Sequence, residues 1–167
     1  MSQVIYPGTF DPITYGHLDL IERAVRIFNH LVIAVGINPQ KRPLFSVGER
    51  VDMIRELTRS YPEVEITRST GLTVHYAQQR GIYTIIRSLR SATEYELELA
   101  TAVANRQQDP RVETVYLMPS EKYTYLSSTI VREIAQFGGD LTPFVPPLVA
   151  EKLQAKFLLK TSDRRQK

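Results

Sequence analysis

The chain has 167 residues, 43% of them hydrophobic, with no cysteine and a formal net charge of +3. That length suits one well-buried domain and is short for two, and the absence of thiols excludes disulfides, thiolate metal sites and a cysteine nucleophile. The excess positive charge sits in the final stretch K-T-S-D-R-R-Q-K, so the body is close to neutral and a basic nucleic-acid or membrane surface is not expected.

Val4, Ile5 and Tyr6 read as a buried strand that Pro7-Gly8 stops abruptly. Asp11-Pro12 delays the helix that follows. From Gly16 onward Leu18, Ile21, Ala24, Val25 and Phe28 recur at spacings of three and four, so a helix is expected to begin near His17. Gly8, Thr9, Gly16 and His17 thus lie between a strand end and a helix N-terminus. Free N–H groups and the helix dipole attract anions there, and glycines let a phosphate approach the backbone. His17 is placed to hydrogen-bond phosphoryl oxygens.

Leu31 to Ile37 is a near-continuous apolar run, the pattern of a parallel strand covered on both faces. The polar loop after it puts Lys41 and Arg42 just past the strand's C-terminal end, the side on which open α/β sheets bind ligands. Ser46 and Glu49 form a capping box ahead of a helix carrying Val51, Ile54 and Leu57. Val64 to Thr67 is a third strand. Gly71-Leu72-Thr73 leads into a helix through Tyr76 to Gln79 that Gly81 stops, with His75 inside it.

Tyr83 to Ile86 is the fourth expected strand, and Arg87 and Arg90 follow at a spacing that lets both face one anion in forked geometry. The next helix, Thr93 to Arg106, has Leu97, Ala100, Val103 and Ala104 as its apolar side, and its Glu94, Glu96 and Glu98 are expected to be solvated or paired with the arginines. Thr114 to Met118 is the fifth strand. Ser127, Ser128 and Thr129 open another helix; three consecutive hydroxyls exceed what a cap requires and make a second phosphate cradle. Pro143, Pro146 and Pro147 mark a turn-rich connection to a last helix, Val149 to Leu159.

Five strands alternating with helices predict an α/β fold, a single domain with a doubly wound, five-stranded parallel sheet. Every candidate residue falls near a strand's C-terminal end. The domain is expected over 1–159, followed by a basic polar tail, 160–167, expected to be disordered. No apolar run approaches the ~18 residues of a membrane span, and no basic-then-apolar leader precedes the first strand. A cytoplasmic location is therefore expected.

The run Y-P-G-T-F-D-P-I-T-Y-G-H contains Thr14-Tyr15-Gly16-His17, and it resembles the nucleotidyltransferase signature whose second half is written (H/T)-x-G-H. Together with I-I-R-S-L-R-S-A-T-E-Y-E-L-E and with Y-L-M-P-S followed by Y-L-S-S-T-I-V-R-E, it makes the chain similar to the bacterial phosphopantetheine adenylyltransferases from about Val4 to Lys156. The resemblance implies a Rossmann-like fold and direct in-line transfer of an adenylyl group from ATP to 4′-phosphopantetheine, giving dephospho-coenzyme A and pyrophosphate without a covalent intermediate. It further implies Mg2+ bound with the ATP rather than by a metal site of the protein, a homohexamer, and feedback inhibition by coenzyme A.

By the same resemblance, ATP contacts fall on Thr9, Phe10, His17, Ser88, Leu89, Arg90, Glu98, Tyr123, Thr124, Tyr125, Leu126, Ser127, Ser128 and Thr129. Contacts to the acceptor fall on Thr9, Lys41, Thr73 and Arg87, and the catalytic set is His17, Lys41 and Arg90. Glu98 is expected to accept bonds from the ATP sugar or to orient an arginine. The chain departs from the family pattern at Ser88 (usually glycine), Thr73 (usually apolar), His75 (often aspartate) and Leu97 (often aromatic). The alternatives are an adenylyltransferase for nicotinate or nicotinamide mononucleotide, which shares the first and third blocks more loosely, and a non-catalytic nucleotide-binding module.

Overall fold

A computed structural model of the chain describes residues 2–37 and 42–164, the stretch 159–164 by its backbone alone. The elements alternate: β1 (Gln3–Gly8), α1 (Tyr15–Ile27), β2 (His30–Ile37), α2 (Val47–Leu57), β3 (Val64–Thr70), α3 (Thr73–Arg80), β4 (Thr84–Ser88), α4 (Ala92–Gln108), β5 (Glu113–Leu117), α5 (Ser128–Gln136) and α6 (Pro147–Arg164), with one 3-10 turn at Glu121–Tyr123. All strand pairings are parallel, in the order β3-β2-β1-β4-β5. The order reverses between β1 and β4, so the crevice at their C-terminal ends is the topological switch point where such sheets take ligands. Among the described residues no helix is long and apolar enough to cross a membrane.

The core follows from strand alternation. Val4, Tyr6, Leu31, Ile33 and Val35 point into one buried cluster, which α1, α2, α5 and α6 close with Leu20, Ile21, Ile54, Val131 and Leu153. Ile5, Val32, Ala34 and Ile85 point the other way, where Val74 and Ala77 of α3 meet them. A run buried on both faces has no polar side to show, which is why β2 reads as uninterrupted apolar sequence.

Several expected boundaries move. β4 continues to Ser88, so Arg87 is a strand residue rather than a loop residue; β3 extends to Thr70. α1 begins at Tyr15, two positions ahead of His17, because Thr14 caps it. The last helix begins at Pro147, which suits a first helical position where no N–H is needed, and it carries the backbone past Leu159 to Arg164.

The largest correction concerns α4. None of its residues is buried, and Tyr95, Leu97, Leu99 and Val103 are exposed. Its partly buried positions are Glu94, Glu98, Ala102 and Asn105, spaced along one helical face. The helix therefore turns a mostly polar stripe inward and its apolar side outward. Periodicity reveals that a stripe exists, and what lies opposite it decides which stripe faces in.

Candidate active site

Three elements converge on the switch point: the loop after β1, the end of β4 with the start of α4, and the start of α5. Between them lies a cavity of about 410 Å³, within the range of small-molecule sites.

The first loop is held in an uncommon conformation. Phe10 has φ 51°, in the left-handed region, and its buried ring meets Tyr6 and His17 edge-on, with centroids 5.2 and 5.1 Å away. A Cβ on Gly8 would lie 2.8 Å from that ring. Close packing against the Phe10 ring thus requires a glycine here, and Gly8 also lines the cavity. A left-handed non-glycine residue costs about 1–3 kcal/mol and needs support from its surroundings. Here Arg50, itself buried, donates from Nη1 to the Thr9 carbonyl at 2.6 Å and to the Gly36 carbonyl at 2.9 Å. The buried Asp11 carboxylate accepts from the N–H groups of Leu44 and Phe45 at 2.8 and 2.9 Å, and Arg132 of α5 bonds its carbonyl and carboxylate. Asp11, Arg50 and Arg132 were not singled out from the sequence; the readable signal was the Asp-Pro pair inside the signature run.

His17 occupies the third position of α1 and closes a capping box there. Its N–H donates to Thr14 Oγ1 at 3.4 Å, while the Thr14 N–H donates back to His17 Nδ1 at 3.0 Å. A nitrogen that accepts from a backbone N–H carries no proton, so the neutral ring holds its hydrogen on Nε2. His17 lines the cavity, and Nε2–H is the ring donor left for a ligand. Enclosure by protein, with Arg90 adding to it, lowers the pKa of His17 from 6.5 to about 4.

The two arginines do not stand free together. Arg87 is gripped by Glu98 of α4 through Nε at 2.9 Å and Nη2 at 2.6 Å, and this pairing, ahead of the smaller opposing effect of burial, raises its pKa. Arg90 is gripped by Glu94 and donates from Nη1 to the Leu126 carbonyl at 2.6 Å. Of the two roles expected for Glu98, the structure displays the orientation of an arginine.

At the start of α5 each hydroxyl has a partner. Ser127 caps the helix by accepting from the Ile130 N–H, Ser128 donates to the Pro12 carbonyl at 2.7 Å, and Thr129 Oγ1 accepts from Arg132. On the far side of the cavity Tyr15 stacks on Tyr123 at 6.1 Å, and Asp19 anchors the neighbouring turn by accepting from the Ser120 N–H at 2.8 Å and from its hydroxyl.

Of the residues expected to contact ligands, Thr9, Phe10, His17, Arg87, Ser88, Arg90, Glu98, Tyr123, Leu126, Ser127 and Ser128 line this cavity. Leu89, Thr124, Tyr125 and Thr129 do not. Leu89 instead extends the sheet through its N–H to the Leu117 carbonyl, and Tyr125 points to solvent. Thr73 lines a second cavity of about 230 Å³ together with Arg87, Glu98, Thr101, Asn105 and Thr114. Pro7 and the Arg87–Glu98 pair form the wall shared by the two. Lys41 lies outside the described residues. Among the described residues no group of three or more His, Asp or Glu side chains could hold a metal ion.

A crevice at a sheet's switch point, floored by two helix N-termini and lined by a neutral histidine and two arginines, presents hydrogen-bond donors and positive charge of the kind that suit an anion. The family model described as cytidylyltransferase-like matches residues 5–134, which run from β1 into α5 and include every segment of the larger cavity. Fold and site together define a nucleotidyltransferase. A phosphopantetheine adenylyltransferase from Caldanaerobacter subterraneus subsp. tengcongensis is 50% identical over 157 residues, covering 94% of this chain and 98% of that one. The chain belongs to the phosphopantetheine adenylyltransferase family. A crystal structure of a provisionally assigned nicotinate-nucleotide adenylyltransferase from Vibrio parahaemolyticus superposes with a TM-score of 0.63 over 92% of this chain and 91% of its own, at 18% identity, a likeness of fold alone.

Proposed function

We propose that this chain transfers the adenylyl group of ATP to 4′-phosphopantetheine, giving dephospho-coenzyme A and pyrophosphate. The observation that carries this is the position of Arg87 on the wall between two cavities. A phosphate bound there has room for a nucleotide on one side. On the other it has a narrower space lined by Thr73, Thr101, Thr114 and Asn105, whose hydroxyl and amide groups suit the amides of a pantetheine arm. The relative from Caldanaerobacter supports the same acceptor.

In the proposed reaction an acceptor phosphate oxygen attacks the α-phosphorus in line. The new O–P bond forms as the bond to the β-phosphate oxygen breaks, and pyrophosphate leaves with that electron pair. The attacking phosphate is already ionised, so no general base is required. Catalysis is then positioning and neutralisation of charge that grows on the phosphoryl oxygens. His17 Nε2–H donates to an α-phosphate oxygen; the N-terminus of α5 with Ser127 and Ser128 holds the β- and γ-phosphates; Arg90 spans both, and Lys41 completes the catalytic set. Glu98 faces the nucleotide cavity and keeps Arg87, the acceptor's phosphate contact, in place. Magnesium would arrive bound to the triphosphate and supply charge neutralisation there. The cavity carboxylates Glu94 and Glu98 are committed to arginines, so phosphate oxygens and water would supply its ligands.

Two further expectations belong to this proposal, a homohexamer and inhibition by coenzyme A, whose structure contains that of the product. The outward stripe of Tyr95, Leu99 and Val103 on α4 is an apolar surface of the kind that a second copy covers. Arg87→Ala tests the shared wall directly. Calorimetry should find affinity for 4′-phosphopantetheine falling much further than affinity for ATP, and equal losses would contradict the assignment of the second cavity.

A further inference from the structure

Three helices begin with a hydroxyl cap and a long polar side chain three positions on. In α1 and α2 the box closes: His17 and Glu49 each return to the backbone N–H of their cap residue, Thr14 and Ser46. α4 has the same S-x-x-E arrangement, and the Glu94 N–H bonds Ser91 Oγ at 3.2 Å. Its carboxylate, however, does not return to the Ser91 N–H. It reaches one residue further to accept from the Arg90 N–H at 3.2 Å and Nε at 3.1 Å, while its other oxygen takes Nη2. A group suited to capping has been redirected onto a guanidinium.

The consequence is geometric. With one edge of its fork on Glu94, Arg90 can only place Nη1 on the far side, where it bonds the Leu126 carbonyl. Leu126 immediately precedes Ser127 and Ser128, and Leu126, Ser127 and Ser128 all line the larger cavity. We propose that Glu94 is a positioning residue for adenylyl transfer: acting through Arg90, it sets the spacing between the start of α4 and the phosphate-facing start of α5. This rests on the proposed function, in which Arg90 faces the triphosphate. The pair also leaves one N–H on Nη1 and one on Nη2 for phosphate, in a fixed plane. A free arginine would offer more donors in no fixed direction, and preorganised donors are worth more in the transition state than mobile ones.

Glu94→Gln separates this role from helix capping. Glutamine serves a capping box as glutamate does, but it has one acceptor oxygen and no charge with which to grip a guanidinium. The expected result is a split: single-turnover adenylyl transfer falls tenfold or more, ATP affinity by calorimetry stays the same or tightens because Arg90 loses its internal counter-charge, and the melting temperature is little changed. A double-mutant cycle with Arg90→Ala should show the Glu94→Gln effect vanishing once Arg90 is gone. Normal turnover in Glu94→Gln with impaired Arg90→Ala overturns the positioning role and spares the function of Arg90. Independent, additive losses overturn it too, as does a parallel fall in rate, ATP affinity and melting temperature, the signature of a cap. Normal turnover in Arg90→Ala overturns the phosphate-facing reading of Arg90 and Glu94's role with it.

Discussion

The Thr14 N–H donates to Nδ1 of His17 at 3.0 Å, closing a capping box in which an imidazole stands where glutamate or glutamine usually does. One hydrogen bond thereby does two things. It satisfies an N–H at the helix entry, and it settles which ring nitrogen carries the proton. Protonating His17 would put a hydrogen on Nδ1 and set it against the Thr14 N–H, a cost added to enclosure and to the Arg90 charge that already hold the pKa near 4.

His17→Gln is the variant that divides these roles. The amide oxygen can still accept from Thr14, so thermal unfolding should change little. Turnover should fall on the order of 10²-fold, as it does on removal of one preorganised donor. His17→Ala should lose turnover and also about 1 kcal/mol of stability with the cap. A normally active His17→Gln enzyme would return the residue to a structural role.

The depressed pKa fixes a pH dependence. A histidine near 6.5 unfolded and about 4 folded binds its proton more readily in the unfolded chain. Its contribution to stability is therefore fully present above pH 6.5 and is lost as pH falls from there through about 4. Nitrogen-detected NMR should find the Nε2–H tautomer at neutral pH and no titration of His17 between pH 8 and 5. A midpoint near 6.5 would contradict the described environment.

Glycines 8 and 16 should respond oppositely to alanine. At Gly8 the new methyl meets the Phe10 ring at 2.8 Å, so Gly8→Ala should destabilise by about 1–3 kcal/mol. At Gly16, inside α1, the nearest atoms would be 3.6 Å or more away, and a helical glycine-to-alanine change gains up to about 1 kcal/mol. Gly16 lines the cavity, however. Gly16→Ala should melt higher and bind ATP more weakly, and unaltered ATP affinity would show that the nucleotide does not approach α1.

The outward face of α4 predicts self-association. Leu99→Arg together with Val103→Glu should leave the fold intact by circular dichroism and shift sedimentation from an oligomer to a monomer. A wild-type protein that sediments as a monomer would refute the assembly.

Much of this is legible in the amino-acid sequence alone. The double-sided burial of β2, the pairing of His17 with the start of α1, and the gathering of Arg87, Arg90, Ser127 and Ser128 at one sheet edge all follow from patterns in the chain. What was not legible depended on partners distant in sequence. Gly8 reads as a cavity glycine, and only the fold shows that the Phe10 ring packs against it as well. Arg50 and Arg132 look like ordinary helix arginines until Thr9 and Asp11 appear against them. The apolar side of α4 was identified as a stripe, but its outward direction depends on two glutamates having partners inside. Thr129, third in a row of hydroxyls, points away because successive helical positions turn by about 100°.

The most direct test of the central claim is pyrophosphate release by the purified protein with ATP and magnesium, run in parallel with 4′-phosphopantetheine, nicotinate mononucleotide and nicotinamide mononucleotide, and with the nucleotide product identified by mass. Release should be fastest with 4′-phosphopantetheine, and the product should have the mass of dephospho-coenzyme A. Faster release with either mononucleotide, or no release with any acceptor, would contradict the account.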